Sequence, residues 1–335
     1  MNYILRTIAV ISTFLTVVAS AAEPVTIDTF VRAETDTGIR TGLATGASFG
    51  EFQHFRLPQT VDQQTVIRTN RDTLYSSLAL DLSSPTTITL PDAGGRFMAM
   101  HVINQDHYMF VETEPGDYEL TQDNVGTRFG LVIIRTFADP NDPDDIAAAN
   151  AAQDQLQVSG GGRGPFEAPE WDQDDLLKAR SALNQLATLG FDASYAFGRR
   201  EETRPIDHLV GAAAGWGGQP QYAAEYVISS VADNDGETPF VVTVREVPVD
   251  AFWSVTIYNA EGYLEANELG VHSYNSVTAI ANEDGSFTIH FGGCDTGRTN
   301  CVPISPGWNY TVRMYLPRRE ILDGSWVFPR LKPTN

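Results

Sequence analysis

Val66-Ile67-Arg68-Thr69-Asn70-Arg71-Asp72-Thr73-Leu74-Tyr75-Ser76 sets two arginines, an amide, a carboxylate and a tyrosine into a segment that otherwise reads as a β-strand. It runs on into Ser77-Leu78-Ala79-Leu80-Asp81-Leu82, whose alternation continues the strand pattern. With residues 66–74 extended, Val66, Arg68, Asn70, Asp72 and Leu74 share one face, and Ile67, Thr69, Arg71, Thr73 and Tyr75 share the other. Burying such groups costs several kcal/mol unless each finds a partner. One reading is a ligand clamp: Arg68 for a carboxylate or sugar hydroxyl, Asn70 for orientation, Asp72 as base or acceptor. The other is a buried ionic network that sets strand register or lobe packing. His54 precedes this ladder by one hairpin and is expected to face it.

Outward from that stretch, segments 86–90, 97–104, 108–112 and 129–136 alternate or are β-branched, with Pro, Gly, Asp and Asn between them. Short strands at this spacing predict an antiparallel sandwich or barrel. Upstream, residues 24–45 read in part as a helix, with Asp28 as a candidate cap. Asp142 and Pro143 open a second helix, and a third begins near Asp172 and ends at Gly190. Between these two helices, Gly160-Gly161-Gly162-Arg163-Gly164-Pro165 reads as a flexible connector. Residues 212–216 and 223–228 look helical. Strands return at 240–244, 253–258, 276–279, 287–291 and 309–316, with a hairpin turn at Asn282-Glu283-Asp284-Gly285.

The chain opens with Arg6, an apolar run over 7–19, and small residues at Ala19-Ser20-Ala21-Ala22. This predicts a secretory signal peptide over 1–22, cut after Ala21 or Ala22, and a periplasmic or secreted protein with no membrane insertion once the leader is gone. The formal net charge is −21, from 22 basic and 43 acidic residues. Such a surface repels phosphate backbones and anionic lipids, which disfavours nucleic acid and membrane surfaces as partners. Cys294 and Cys301 flank a polar, glycine-containing loop and are expected to form a disulfide in an exported protein.

The run VIRTNRDTLYS with HFRLP upstream resembles the bacterial family known as domain of unknown function 1254. WSVTIYNAEGYLEANELGVHSYNS, DGSFTIHF and YTVRMYLPRREILDGSWVFPRL resemble its usual partner, domain of unknown function 1214, and AAGWGGQPQYAAEY resembles the link between them. The resemblance implies exported or envelope proteins with two β-sandwich-like, jelly-roll-type lobes. The expected fold class is thus α+β and β-rich, with two antiparallel sandwich- or jelly-roll-like lobes joined by a helical middle segment. Its parts are an N-terminal lobe over 23–157, a connector with helices over 158–230, and a C-terminal lobe over 231–335.

Other motifs carry less. Gly46-Ala47-Ser48-Phe49-Gly50 has the spacing of a nucleophile elbow without the strand before it and helix after it, so it reads as a turn. The six histidines show no metal-ligand spacing, and no phosphate-loop motif occurs. Trp253, Tyr258, Tyr263, Asn267 and Tyr274 suit either a sandwich core or sugar stacking. Arg313, Tyr315, Asp323 and Trp326 read as structural. The expectation for function is binding of a small polar molecule or glycan fragment in a cleft formed by Arg68, Asn70, Asp72, Tyr75 and His54. A hydrolase or lyase at that cleft, and a structural protein of the cell envelope, are the alternatives. The residues name no cofactor, reaction or oligomeric state.

Overall fold

A computed structural model describes residues 22–64 and 67–334. The expected signal peptide falls almost wholly outside the described residues, as does Val66 of the ladder.

The N-terminal lobe opens with α1 (Phe30–Ala44), whose N-cap is Thr29 rather than the expected Asp28. Then come β1 (Gln53–Phe55), β2 (Thr73–Asp81), β3 (Thr86–Leu90), β4 (Met98–Asn104), β5 (Met109–Glu112), β6 (Gly116–Leu120), α2 (Gln122–Val125), β7 (Phe129–Phe137), α3 (Pro143–Gln153) and β8 (Gln157–Gly160). Asp142 caps α3 through a bond from the Asp144 N–H, with Pro143 at its first position, as the sequence predicts. Five strands form an antiparallel sheet in the order β1-β2-β7-β4-β5, and β6-β3-β8 form a second. Leu78, Leu80, Met98, Met100, Val102, Val132 and Ile134 point from the first sheet onto Ile88, Leu90 and Leu120 of the second, which makes a sandwich core. The other face of the five-stranded sheet carries Tyr75, Ala79, Ala99, His101, Leu131 and Arg135. α1 covers part of it through Ile39, which packs with Ala79 and Leu131.

The helical middle holds α4 (Gln173–Ala187), capped by Asp172, and α5 (Pro205–Ala214). The glycine run before it is docked, not free. Gly161 N–H donates to Pro85 O, Gly162 N–H to Asp81 O, and Gly164 N–H to the Asp81 carboxylate. At Gly162 a Cβ would sit 2.3 Å from both Asp81 Oδ2 and Ser83 Oγ, so only glycine permits this approach.

The C-terminal lobe comprises β9 (Ala224–Ser229), β10 (Phe240–Val244), β11 (Trp253–Tyr258), β12 (Ser273–Asn275), β13 (Phe287–Phe291), β14 (Cys301–Val302), β15 (Asn309–Tyr315) and β16 (Lys332–Pro333). Sheets β12-β11-β15-β9 and β14-β13-β10-β16 enclose Val242, Trp253, Val255, Ile289, Phe291, Trp308 and Val312. The lobe is therefore a second sandwich, antiparallel apart from the short β13–β14 pair. β9 corrects a helical expectation for 223–228: its alanines and glutamate favour helix, but pairing with β15 along six residues overrides local propensity. The strand expected at 276–279 lies instead at 273–275, and 276–279 form a turn. Cys294 and Cys301 form a disulfide, which points to an oxidising compartment. Among the described residues no helix is long and apolar enough to cross a membrane.

Candidate functional site

Strand alternation points Trp253, Val255, Ile257, Tyr310, Val312 and Met314 into the C-terminal core. It leaves Ser254, Thr256, Tyr258, Thr311, Arg313 and Tyr315 on the outer face. Such a polar face ordinarily meets water. Here all six are buried, because segment 67–75 of the N-terminal lobe lies across them.

That segment is not the extended ladder the sequence suggests. β2 begins only at Thr73, and residues 67–68 form a turn with Arg68 at φ +54°. A left-handed backbone at a non-glycine residue is strained by about 1–3 kcal/mol and persists only where surroundings enforce it. Here the C-terminal lobe does so. Arg68 N–H donates to Gly262 O at 2.8 Å. Its carbonyl accepts from Arg313 Nη2 at 2.7 Å, and its Nη1 donates to Asn309 Oδ1 at 2.5 Å. The partners lie some 190 to 245 positions downstream, beyond the reach of local pattern reading.

Each following residue is held similarly. Tyr258 OH donates to Thr69 O. Asn70 Nδ2 donates to Thr73 Oγ1 and to Tyr315 OH at 3.0 Å, while its Oδ1 accepts from Asp72 N–H. Arg71 Nη1 donates to His272 Nδ1 at 2.9 Å, which leaves His272 Nε2 as donor to Glu265 O. Burial, and then Arg71, depress the His272 pKa. Arg313 also reaches Thr256 Oγ1 and Tyr258 OH. Burial works against its charge, but the Tyr258 and Tyr315 oxygens and Asp72 keep its pKa above the usual arginine range.

Asp72 is fully buried. One carboxylate oxygen accepts from Asn275 Nδ2 at 3.1 Å; the other has no partner in bonding geometry, nor do the hydroxyls of Ser254 and Thr311 or Arg71 Nε. Burial raises the Asp72 pKa, opposed by Ser254, whose hydroxyl favours the carboxylate without an aligned bond, and by Arg313, Asn275 and Arg71. A cavity of about 120 Å³ borders the network at Tyr258 and His272, with Glu265 and Asn267 also on its wall.

The remaining candidates sit differently. Tyr75 is half-buried on the α1-facing side of the sheet, with the Arg135 guanidinium 5.6 Å from its ring centre. His54 does not join the network. It pairs with Ser76 across β1 and β2, one position from the Phe55–Tyr75 pair, so alternation turns its ring away from Tyr75, to the side where Gln153 of α3 also meets Ser76. There its Nδ1 meets Ser76 Oγ at 2.7 Å, and burial, then Arg56, lower its pKa. The sequence marks Arg313 as structural, which fits its bonds across the lobes, and gives no mark to Ser254 or Asn275. The alternation of WSVTIY and NYTVRMY did mark a polar face; what it lacked was any sign that the face is covered.

Comparison with known proteins agrees with this architecture. Residues 49–160 match the family described as protein of unknown function DUF1254, and residues 221–319 match DUF1214. The VPA0106 protein from Vibrio parahaemolyticus has a similar crystal structure, with a TM-score of 0.70 at 18% identity, over 92% of this chain and 98% of that one. An uncharacterized protein from Burkholderia cenocepacia is similar at a TM-score of 0.50 and 13% identity, over 92% and 87% of the two chains. These likenesses speak to fold alone. No curated protein matches the sequence.

Proposed function

Because the chain belongs to DUF1254 through residues 49–160 and to DUF1214 through residues 221–319, a pairing that assigns no activity, we propose its function from the seam itself: an exported protein that binds a small polar molecule or one end of a glycan fragment between its lobes. The observation that carries this reading is the unsaturated end of the seam. A fully buried carboxylate with one oxygen lacking an aligned donor lies beside the Ser254 hydroxyl and Arg71, whose Oγ and Nε also lack partners in bonding geometry. Leaving such groups unpaired costs about 1–3 kcal/mol each, and a ligand's hydroxyl or amide groups would remove that cost.

In this reading Asp72 and Ser254 are the groups that meet the ligand, and Arg68, Asn70 and Arg313 hold the wall in place. Tyr258 and His272 form the rim at the adjoining cavity. The adjoining cavity, about 120 Å³ or roughly four water molecules, is lined by Tyr258 and His272 and not by Asp72 or Ser254, so the ligand is small and reaches the carboxylate past that rim. A catalytic role for Asp72 has less support, since the His54 ring is engaged with Ser76, four residues beyond Asp72, and both His272 nitrogens are engaged. An architectural role is favoured by one observation, the bonds of Arg68 and Asn70 to Asn309, Arg313 and Tyr315.

A thermal-shift screen of the mature protein against sugars, polyols and hydroxy acids separates the two. Binding predicts a compound that raises the melting temperature of the wild type and fails to raise that of Asp72→Asn, whose own melting stays cooperative. If no compound shifts the wild type, or Asp72→Asn keeps the full shift, the seam is only a fastener.

A further inference from the structure

A larger cavity, about 280 Å³, lies apart from the seam residues, between the β4–β5 hairpin, α2 and the short turn Arg200–Glu202. Its hairpin wall is rigid. Asn104 Oδ1 accepts from the N–H groups of Asp106 and Tyr108, Asn104 Nδ2 donates to Val125 O, and the turn holds His107 at φ +61°. Two arginines lean over aromatic rings at this wall. The Arg199 guanidinium is 4.3 Å from the Phe110 ring centre, and that of Arg200 is 5.5 Å from the Tyr108 ring centre. The Tyr108 ring in turn stacks on His208 at 4.5 Å.

Stacking orients a guanidinium while leaving its N–H edge free for a planar anion. Among the described residues neither arginine forms an ion pair, in a chain whose net charge is −21. Asp123 and Glu201 line the same cavity and also form none. The lining therefore offers two cationic forks and two free carboxylates. A dianion would be repelled by the carboxylates and by the protein's overall field, and a simple cation would meet the arginines. A zwitterion satisfies both sets and brings no net charge into that field.

We propose that this cavity binds a small zwitterion of α-amino acid size, its carboxylate on Arg199 and Arg200 and its ammonium group on Asp123 and Glu201. The volume matches the scale: it holds roughly nine waters and falls just below the range of drug-sized sites. Val102 and Met109 supply an apolar wall for a side chain.

Isothermal titration of the mature protein with each of the twenty amino acids tests this, with acetate and methylamine as half-ligands. The expected result is saturable binding of at least one amino acid, with both half-ligands weaker by about tenfold or more. Arg199→Gln and Arg200→Gln should each weaken that amino acid by about tenfold. Arg200 is exposed, so its variant is expected to melt as the wild type does, and Asp72→Asn should bind the amino acid unchanged, which keeps this site distinct from the seam. Absence of binding by every amino acid, acetate binding as tightly as the best of them, or both arginine variants binding normally would overturn the proposal.

Discussion

Two buried aspartates bracket the same strand. Asp72 precedes β2 by one residue, and Asp81 ends it. Asp81 is saturated: its oxygens accept from Arg128 Nε at 2.9 Å, Ser83 N–H at 3.1 Å and Gly164 N–H at 3.0 Å. Burial pushes its pKa upward, but these donors bring it down to about 2. Asp72 faces the C-terminal lobe with one aligned donor, Asn275, and its pKa is raised. Burial is thus common to both, and donor supply is what differs. A saturated carboxylate ties a glycine loop to its own lobe; an unsaturated one keeps capacity for something else.

The largest effect expected at either site comes from Arg313, the cation beside Asp72. Arg313→Ala leaves the Arg68 carbonyl, the Tyr258 hydroxyl and the Thr256 hydroxyl without this donor, and removes a charge that offsets Asp72. The cost should be about 3–5 kcal/mol in denaturant unfolding, as for other broken buried charge networks. A loss near zero would mean that the seam does not fasten the lobes.

Asp81→Asn comes next. It weakens three charge-assisted bonds and should cost about 2–3 kcal/mol at pH 7. With a folded pKa near 2 against an unfolded value near 3.8, the Asp81 contribution is fully present above pH 4 and is lost as pH falls through about 2. The gap between wild type and variant should therefore close on acidification, which chemical unfolding at pH 7, 4 and 2.5 would measure.

The contrast also marks what the sequence could disclose. Alternation located β3, β10, β11, β13 and β15, since each has one face in a sandwich core and needs no distant information. Asp142 and Asp172 announced their helices through local capping. The polar density of 68–75 flagged the seam, but its shape was illegible. Arg68 adopts a left-handed backbone because Gly262, Asn309 and Arg313 grip it, and none of these is near in sequence. His54 stands near the seam along the chain, whereas its ring meets the Ser76 hydroxyl beside Gln153 of α3, several residues into β2. Asp81 gave no signal, because two of its donors, Arg128 Nε and the Gly164 N–H, come from 47 and 83 positions downstream, the second from a glycine run that looked like a free connector.

Asp72→Asn is expected to change stability least at pH 7, within about 1 kcal/mol, because an isosteric amide gives up attraction to Arg313 and Arg71 while escaping the desolvation of a buried charge. Its pH dependence is the sharper measurement. With a folded pKa above the unfolded value, the wild-type carboxyl favours folding below about pH 3.8, and that contribution disappears as pH rises through the folded pKa. The amide does not titrate. Relative to wild type, Asp72→Asn should therefore gain stability as pH rises from about 4, while Asp81→Asn loses it over the acid range from about 2 to 4. Opposite slopes in matched unfolding series would tie the difference to donor supply. Slopes of the same sign would mean that Asp72 is as well satisfied as Asp81, and a carboxylate satisfied in that way has no oxygen left to offer a ligand.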